Sequence, residues 1–343
     1  MPRTKVAIVG LGMAVQPHAR SLLDLEERVE VAHAFSPSES RRRAFAATYP
    51  FPLAESFEAI LEDPTVQAVI LLTPPNTHLD LARRVAAAGK HVLLEKPLEI
   101  TSARAVELVG ACRAAGVRLG VVLQHRYRPS TVKLMEILAS GRLGAIAGAS
   151  GIVRLWRPQS YYDEPGRGTK ARDGGGVLLT QAIHTLDLFV TLAGQPVEVS
   201  AYARTSPLHR METEDMVAAA VRFECGALGT IDATTAAFPG FPERIELICE
   251  HGSAMVAGTE LSVHYHDGTT ESLASDQTAG GTGADPMDFP HDYHRSLIAD
   301  FLDAIEADRD PPITGEEALK VHRLIDALLE SAEAGRPVPV VQD

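Results

Sequence analysis

The sequence predicts an α/β chain that opens with a doubly wound parallel sheet and continues as an α+β domain with a large, mostly antiparallel open sheet. Three observations predict it. Short aliphatic runs alternate with amphipathic stretches over residues 1–123. Longer alternating stretches replace them from about residue 124, and a glycine-rich turn follows the first aliphatic run directly. A chain of 343 residues has room for two cores. The expected domains are therefore 1–123 and 124–343, with the C-terminal helical patterns packing back on the first.

The aliphatic runs are Val6–Val9, Val29–Ala34, Ala68–Leu72, His91–Leu94 and Arg118–Leu123, short and apolar as strands buried on both faces should be. Between them, His78–Ala88 puts Leu79, Ala82, Val85 and Ala86 on one helical face, and Ala103–Ala115 is also helical in pattern. In the second part, Ala145–Trp156, Val197–Arg204, Met216–Phe223, Ala227–Thr234 and Arg244–Glu250 alternate as half-buried strands do. Helical patterns over Val177–Leu192, Tyr293–Ala307 and Glu316–Ala334 accompany them. Residues 267–288 are polar, Gly-rich and aperiodic, and are expected to form an exposed mobile loop.

Hydrophobic residues make up 45% of the chain and charged residues 22%, the balance of a folded globular protein. Lys plus Arg number 32 against 45 Asp plus Glu, a net charge of −13, which argues against nucleic acid or an anionic membrane as partner. Cys112, Cys225 and Cys249 are far apart and form no CxxC pair, so all three are expected to be buried reduced thiols of a cytoplasmic protein. The N-terminus reads as a strand rather than a signal peptide, and no window is expected to reach the roughly 20 apolar residues of a membrane span.

Gly10-Leu11-Gly12, with Met13 and Ala14 completing the turn, sits between the first strand and a helix. Gly10 permits the tight turn, and Gly12 lets backbone approach a pyrophosphate at a helix N-terminus. These are the features of a dinucleotide-binding Rossmann domain, although Val15 stands where the fingerprint has its third glycine. After the second run comes Ser36, without the acid that binds the ribose of NAD, and then Arg41, Arg42 and Arg43. A hydroxyl and a guanidinium, Ser36 and Arg41, suit a 2′-phosphate, so NADP is slightly favoured over NAD.

Two further segments are more specific. Ala68–Leu72 leads into Thr73-Pro74-Pro75-Asn76-Thr77-His78, and His91–Leu94 into Glu95-Lys96-Pro97. Together with Gly174-Gly175-Gly176, His184, Asp187 and the ending from Asp300-Phe301 through Pro312–Ala318 to Gly335-Arg336-Pro337-Val338, they resemble the glucose-fructose oxidoreductase / inositol dehydrogenase (Gfo/Idh/MocA) family along nearly the whole chain. The resemblance implies that Thr73, Pro74, Asn76, His78, Glu95 and Lys96 line the cofactor site. It implies that Lys96 lies between substrate and nicotinamide, before a Lys-Pro bond that is often cis, with Glu95 orienting the lysine or the cofactor.

Thr180, His184 and Asp187 fall at i, i+4 and i+7 of the pattern Val177–Leu192, on one helical face. The family commonly has Asp and His where this chain has Thr180 and His184. A threonine cannot ionise, so proton transfer is assigned to Lys96 and His184. In the loop before the glycine run, Tyr162 and Arg167 are the candidate substrate contacts. His264 with His266, and His291 with His294, have ligand-like spacings, but no set completes a site and no metal is expected.

The resulting expectation is an NAD(P)-dependent oxidoreductase acting on the CH–OH of a sugar, cyclitol or related polyol, with Lys96 as general acid/base and a homodimeric or homotetrameric assembly. Two alternatives share the fold: an NAD-dependent glycoside hydrolase or lyase with transient oxidation, and a non-catalytic sugar or cofactor sensor.

Overall fold

The computed structural model describes residues 3–274, 282–283 and 289–341. The chain forms two compact units, one of residues 1–124 and 290–319, the other of residues 125–289 and 320–343. The second unit is thus not the contiguous 124–343, because 290–319 return to the first.

In the first unit β1 (Thr4–Val9), β2 (Val29–Phe35), β3 (Ala68–Leu71), β4 (His91–Glu95) and β5 (Leu119–Val122) make an all-parallel sheet of order β2-β1-β3-β4-β5. Every residue of β3 and β5 is buried, because helices cover both faces of a doubly wound sheet. The helix His78–Ala87 buries Leu79, Ala82, Val85 and Ala86, the face its periodicity predicts. The order reverses between β1 and β3, and ligands of such sheets bind outside the strand carboxyl ends at that reversal. The helix Asp292–Glu306 packs on Val15–Asp24 and places Phe301 against Gly120 of β5.

Among its described residues the second unit holds nine strands: β6 (Ile146–Arg154), β7 (Pro196–Arg204), β8 (Met216–Phe223), β9 (Leu228–Thr234), β10 (Arg244–Cys249), β11 (Gly252–Ala257), β12 (Glu260–Tyr265), β13 (Thr270–Leu273) and β14 (Val338–Pro339). Their order is β13-β12-β11-β10-β6-β9-β8-β7-β14, antiparallel except for β6 with β9. The helix Ile183–Ala193 covers the inner face, where Phe189 meets Gly151 and the ring of Phe223 at 5.3 Å. The outer face leaves Tyr202, Leu228 and Ile248 exposed.

Four expectations need correction. Thr270–Leu273 of the supposed loop is an edge strand, while 275–281 and 284–288 lie outside the described residues. Cys225 is exposed in the turn after β8; only Cys112 and Cys249 are buried, and burial pushes the Cys112 thiol up to about 12. The helical run Lys170–Ala193 is long and apolar enough by composition to cross a membrane, with mean hydropathy 1.4, but 83% of that window is buried, as a core helix is. Finally, Leu178–Ala182 is a π-helical turn, so Thr180 precedes the α-helix of His184 and Asp187 rather than sharing its register.

Candidate active site

Gly10 follows β1 with φ +106°, and a Cβ there would lie 2.5 Å from the Leu72 carbonyl carbon and oxygen. Only glycine lets the β1 turn pass this close to the end of β3. A Cβ on Gly12, in contrast, would meet nothing nearer than Arg41 Nη1 at 3.9 Å. The helix Val15–Asp24 that follows has no side-chain cap on its N-terminus. An open backbone turn leading into uncapped N–H groups fits a pyrophosphate. Met13 is half exposed above the turn, and Ala14 is the N-cap residue.

The three arginines divide their roles. Arg43 pairs with Glu39, and Arg42 donates to the Ser36 carbonyl and lies over the Phe35 ring. Arg41 is the one turned toward Gly12. Ser36 itself is 3% exposed, and its Oγ accepts the Ser38 N–H, which makes Arg41 the stronger candidate for a ribose phosphate.

At the end of β3, Thr77 Oγ1 donates to Thr73 Oγ1 at 2.8 Å, and Pro74 is exposed with Asn76 half-buried beside it. His78 is fully buried, with Nε2 at 2.8 Å from the Thr73 carbonyl oxygen and Nδ1 at 3.0 Å from that of Pro97. Burial lowers its pKa. It ties the β3 and β4 loops together and is withdrawn from any ligand, contrary to the expectation of a cofactor contact.

The Lys96–Pro97 bond is cis. Glu95 turns inward: Oε1 accepts from His18 Nε2 at 2.9 Å, and Oε2 accepts the Lys96 backbone N–H at 3.0 Å. Burial alone would raise this carboxyl, but the hydrogen bond from His18, with the charge of Lys96 near by, more than offsets it and holds it below its ordinary value. His294 completes the cluster, its ring edge-to-face with His18 at 5.0 Å. His291 instead pairs with Asp24 at 2.8 Å, while His264 and His266 are exposed on and beyond the end of β12.

Burial, with His18 close by, holds His294 at about 3 instead of 6.5. Below pH 6.5 the unfolded chain therefore takes up a proton that the native chain refuses. The stability carried by neutral His294 is complete above pH 6.5 and is lost as pH falls toward 3, by on the order of 1.4 kcal/mol per pH unit. Urea midpoints should fall between pH 6.5 and pH 4, and less steeply in His294→Met. An identical slope in that variant would assign the acid sensitivity to other groups.

In the second unit Glu214 receives the start of the helical run. Its carboxylate accepts the N–H groups of Gly176 and Leu178, and its carbonyl accepts that of Val177 at 2.8 Å. Burial raises its pKa nonetheless. Thr180 Oγ1 donates to the Gly176 carbonyl at 2.7 Å, which leaves its oxygen able to accept. Asp187 is buried and forked by Arg126 at 2.8 and 2.6 Å, and His125 stacks on His184 at 4.4 Å between ring centroids. Sequence reasoning misses His125 and Arg126, although a His-Arg-Tyr run in the loop just beyond β5 is a usable signal.

The two loop candidates are engaged internally. Tyr162 is buried with its hydroxyl 2.7 Å from Thr235 Oγ1, and burial raises its pKa. Arg167 donates to Glu164 and, at 2.7 Å, to the Tyr161 hydroxyl, with its guanidinium over the Tyr161 ring. Tyr161 also accepts from Gln181 at 2.8 Å. The structure therefore makes Tyr162 a core residue and Arg167 a support for Tyr161.

Comparison with known proteins decides the family. Residues 4–123 match the model of the oxidoreductase family with an NAD-binding Rossmann fold, and residues 131–255 match the Gfo/Idh/MocA C-terminal domain. A 1,5-anhydro-D-fructose reductase of Ensifer adhaerens is 30% identical over 317 residues, 91% of each chain. The chain belongs to the Gfo/Idh/MocA oxidoreductase family. It is similar to an NADP(+) D-xylose 1-dehydrogenase of Haloferax volcanii, 27% identical over 90% of this chain and 91% of that one. It is also similar to the WlbA dehydrogenase of Bordetella pertussis solved with NADH and UDP-GlcNAcA, 28% identical over 100% of both chains with a TM-score of 0.85. Membership makes it an oxidoreductase with an NAD-binding Rossmann domain.

Proposed function

We propose that the chain is an NAD(P)-dependent dehydrogenase of a sugar, cyclitol or related polyol, with Lys96 as the general acid/base. The observation that carries this is Lys96 at the carboxyl end of β4, in the ligand-binding edge of the parallel sheet, with its backbone N–H bound by the Glu95 carboxylate. Gly10, Gly12 and the uncapped helix start would hold the dinucleotide, with Thr73, Pro74 and Asn76 at the end of the neighbouring strand. The bound nicotinamide supplies the hydride acceptor or donor. Lys96 takes the hydroxyl proton during oxidation and returns it during reduction. Within the second unit, His184 and Thr180 carry side chains able to hydrogen-bond a hydroxyl. The exposed face bearing Tyr202, Leu228 and Ile248 supports a homo-oligomer.

A panel of sugars, sugar acids, inositols and nucleotide sugars, screened with NAD and NADP for absorbance of the reduced cofactor, tests the reading. At least one member should reduce cofactor with saturable kinetics. Consumption of substrate with no net change in cofactor would replace the dehydrogenase by a hydrolase or lyase.

Arg41 supports a preference for NADP. Arg41→Ala is expected to raise KM for NADP about tenfold and to change that for NAD less than about twofold, the effect of removing one charge-assisted phosphate contact. A hundredfold preference of the unaltered enzyme for NAD would refute this assignment.

A further inference from the structure

Behind Lys96 lies a group of side chains that no step of the proposed reaction uses. His18 comes from the helix Val15–Asp24, Glu95 from the end of β4 and His294 from the helix Asp292–Glu306, and all three are buried. His18 Nδ1 has no hydrogen-bond partner among the described residues, so the arrangement that leaves no buried donor unpaired puts the ring proton on Nε2, donated to Glu95. That donation fixes one carboxylate oxygen, and the other accepts the Lys96 backbone N–H.

We propose that His18 is a positioning residue for Lys96: acting through Glu95, it fixes the backbone at the end of β4 and keeps a carboxylate charge beside the lysine. The inference rests on the reading of Lys96 as the acid/base. Around the Glu95 carboxylate stand His18, Lys96 and His294, with His291 and Asp24 beyond them. Glu95 holds the Lys96 backbone N–H and interacts with the lysine charge through space, so the carboxylate favours the ammonium form. Without the His18 donor, burial makes the carboxylate protonate, and the lysine loses the anion that supports its charge. The donor atoms of His18, Glu95 and His294 lie within 4.8 Å of one another, close enough to hold a metal ion. The direct His18–Glu95 hydrogen bond and the neighbouring lysine charge favour the positioning role.

The test compares His18→Leu, His18→Gln and Glu95→Gln. His18→Leu and Glu95→Gln should lower kcat about tenfold or more while cofactor Kd and substrate KM stay within about threefold. Both should move the acidic limb of the kcat profile down by about one pH unit, and His18→Gln, which keeps an N–H at the position of Nε2, should recover most of both effects. The Lys96 titration, followed by NMR of 13Cε-lysine in cofactor-free protein, should move down by about one unit in Glu95→Gln. Unchanged kcat and an unmoved lysine titration in a folded Glu95→Gln or His18→Leu protein overturn the proposal. So does one equivalent of zinc in the isolated enzyme that disappears in His18→Gln. Failure of the underlying reading looks different: Lys96→Ala would then turn over normally.

Discussion

Lys96→Ala should bind NAD or NADP as tightly as the unaltered protein and lose turnover by about three orders of magnitude, the scale of a missing general acid/base. The local structure makes the two effects separable. The backbone N–H of Lys96 is bound by Glu95, and His78 ties the Pro97 carbonyl to that of Thr73, so the end of β4 keeps its course when the side chain is cut back. The turn at Gly10–Ala14 and Arg41 lies in other segments and is untouched. Lys96→Arg should fail almost as completely, because a guanidinium stays protonated at any working pH. Cofactor affinity is measured by titrating the fluorescence of the reduced nicotinamide, and turnover by steady-state rates at saturating substrate. Turnover within about tenfold of normal in Lys96→Ala would move the acid/base to another residue, and His184 would be the next to test.

The first unit was legible because its strands are buried on both faces. Ala68–Leu71 and His91–Glu95 have few alternatives to a parallel strand, and the turn chemistry at their ends carries the site. In the second unit β13 has the sequence of a loop because it is an edge strand whose residues alternate between exposed and half-buried, so neither face writes a hydrophobic pattern into Thr270–Leu273. The π-helical turn at Leu178–Ala182 was hidden for the opposite reason. The helix after it is buried almost all round from Ile183 to Ala193, and a uniformly apolar run gives no phase from which an extra residue could be noticed.

Site residues divide on a similar physical line. The turn at Gly10 is legible because its backbone requires glycine, whereas Lys96 stands out through the family resemblance and not through its place at a strand end alone. His78 follows from the family resemblance, and Tyr162 and Arg167 from the chemistry of their side chains; His78 and Tyr162 prove to be engaged by the distant Pro97 carbonyl and Thr235, and Arg167 by its near neighbour Glu164. His18 was missed altogether, since its partner lies 77 residues away in sequence.

Gly176→Ala is expected to be the most damaging single methyl in the second unit. A Cβ at this position would sit 1.8 Å from the Glu214 carbonyl oxygen and 2.7 Å from its Oε2, and the first of these atoms is backbone that cannot swing aside. Relief requires the start of the helical run to move away from Glu214, which breaks the Val177 N–H bond to that carbonyl and strands a carboxylate that burial already disfavours. We expect a loss of more than about 3 kcal/mol, combining overpacking with a lost buried hydrogen bond, and a fall in Tm on the order of 10 °C. The same displacement carries Thr180 with it, because Thr180 Oγ1 and its backbone N–H both bond to the Gly176 carbonyl. Activity should therefore fall even at temperatures where Gly176→Ala is folded, through a higher substrate KM with cofactor Kd unchanged, since the turn that would hold the dinucleotide belongs to the other unit. A Tm within about 2 °C of normal would mean that the Glu214 backbone yields freely and is not the fixed stop against which this helix begins.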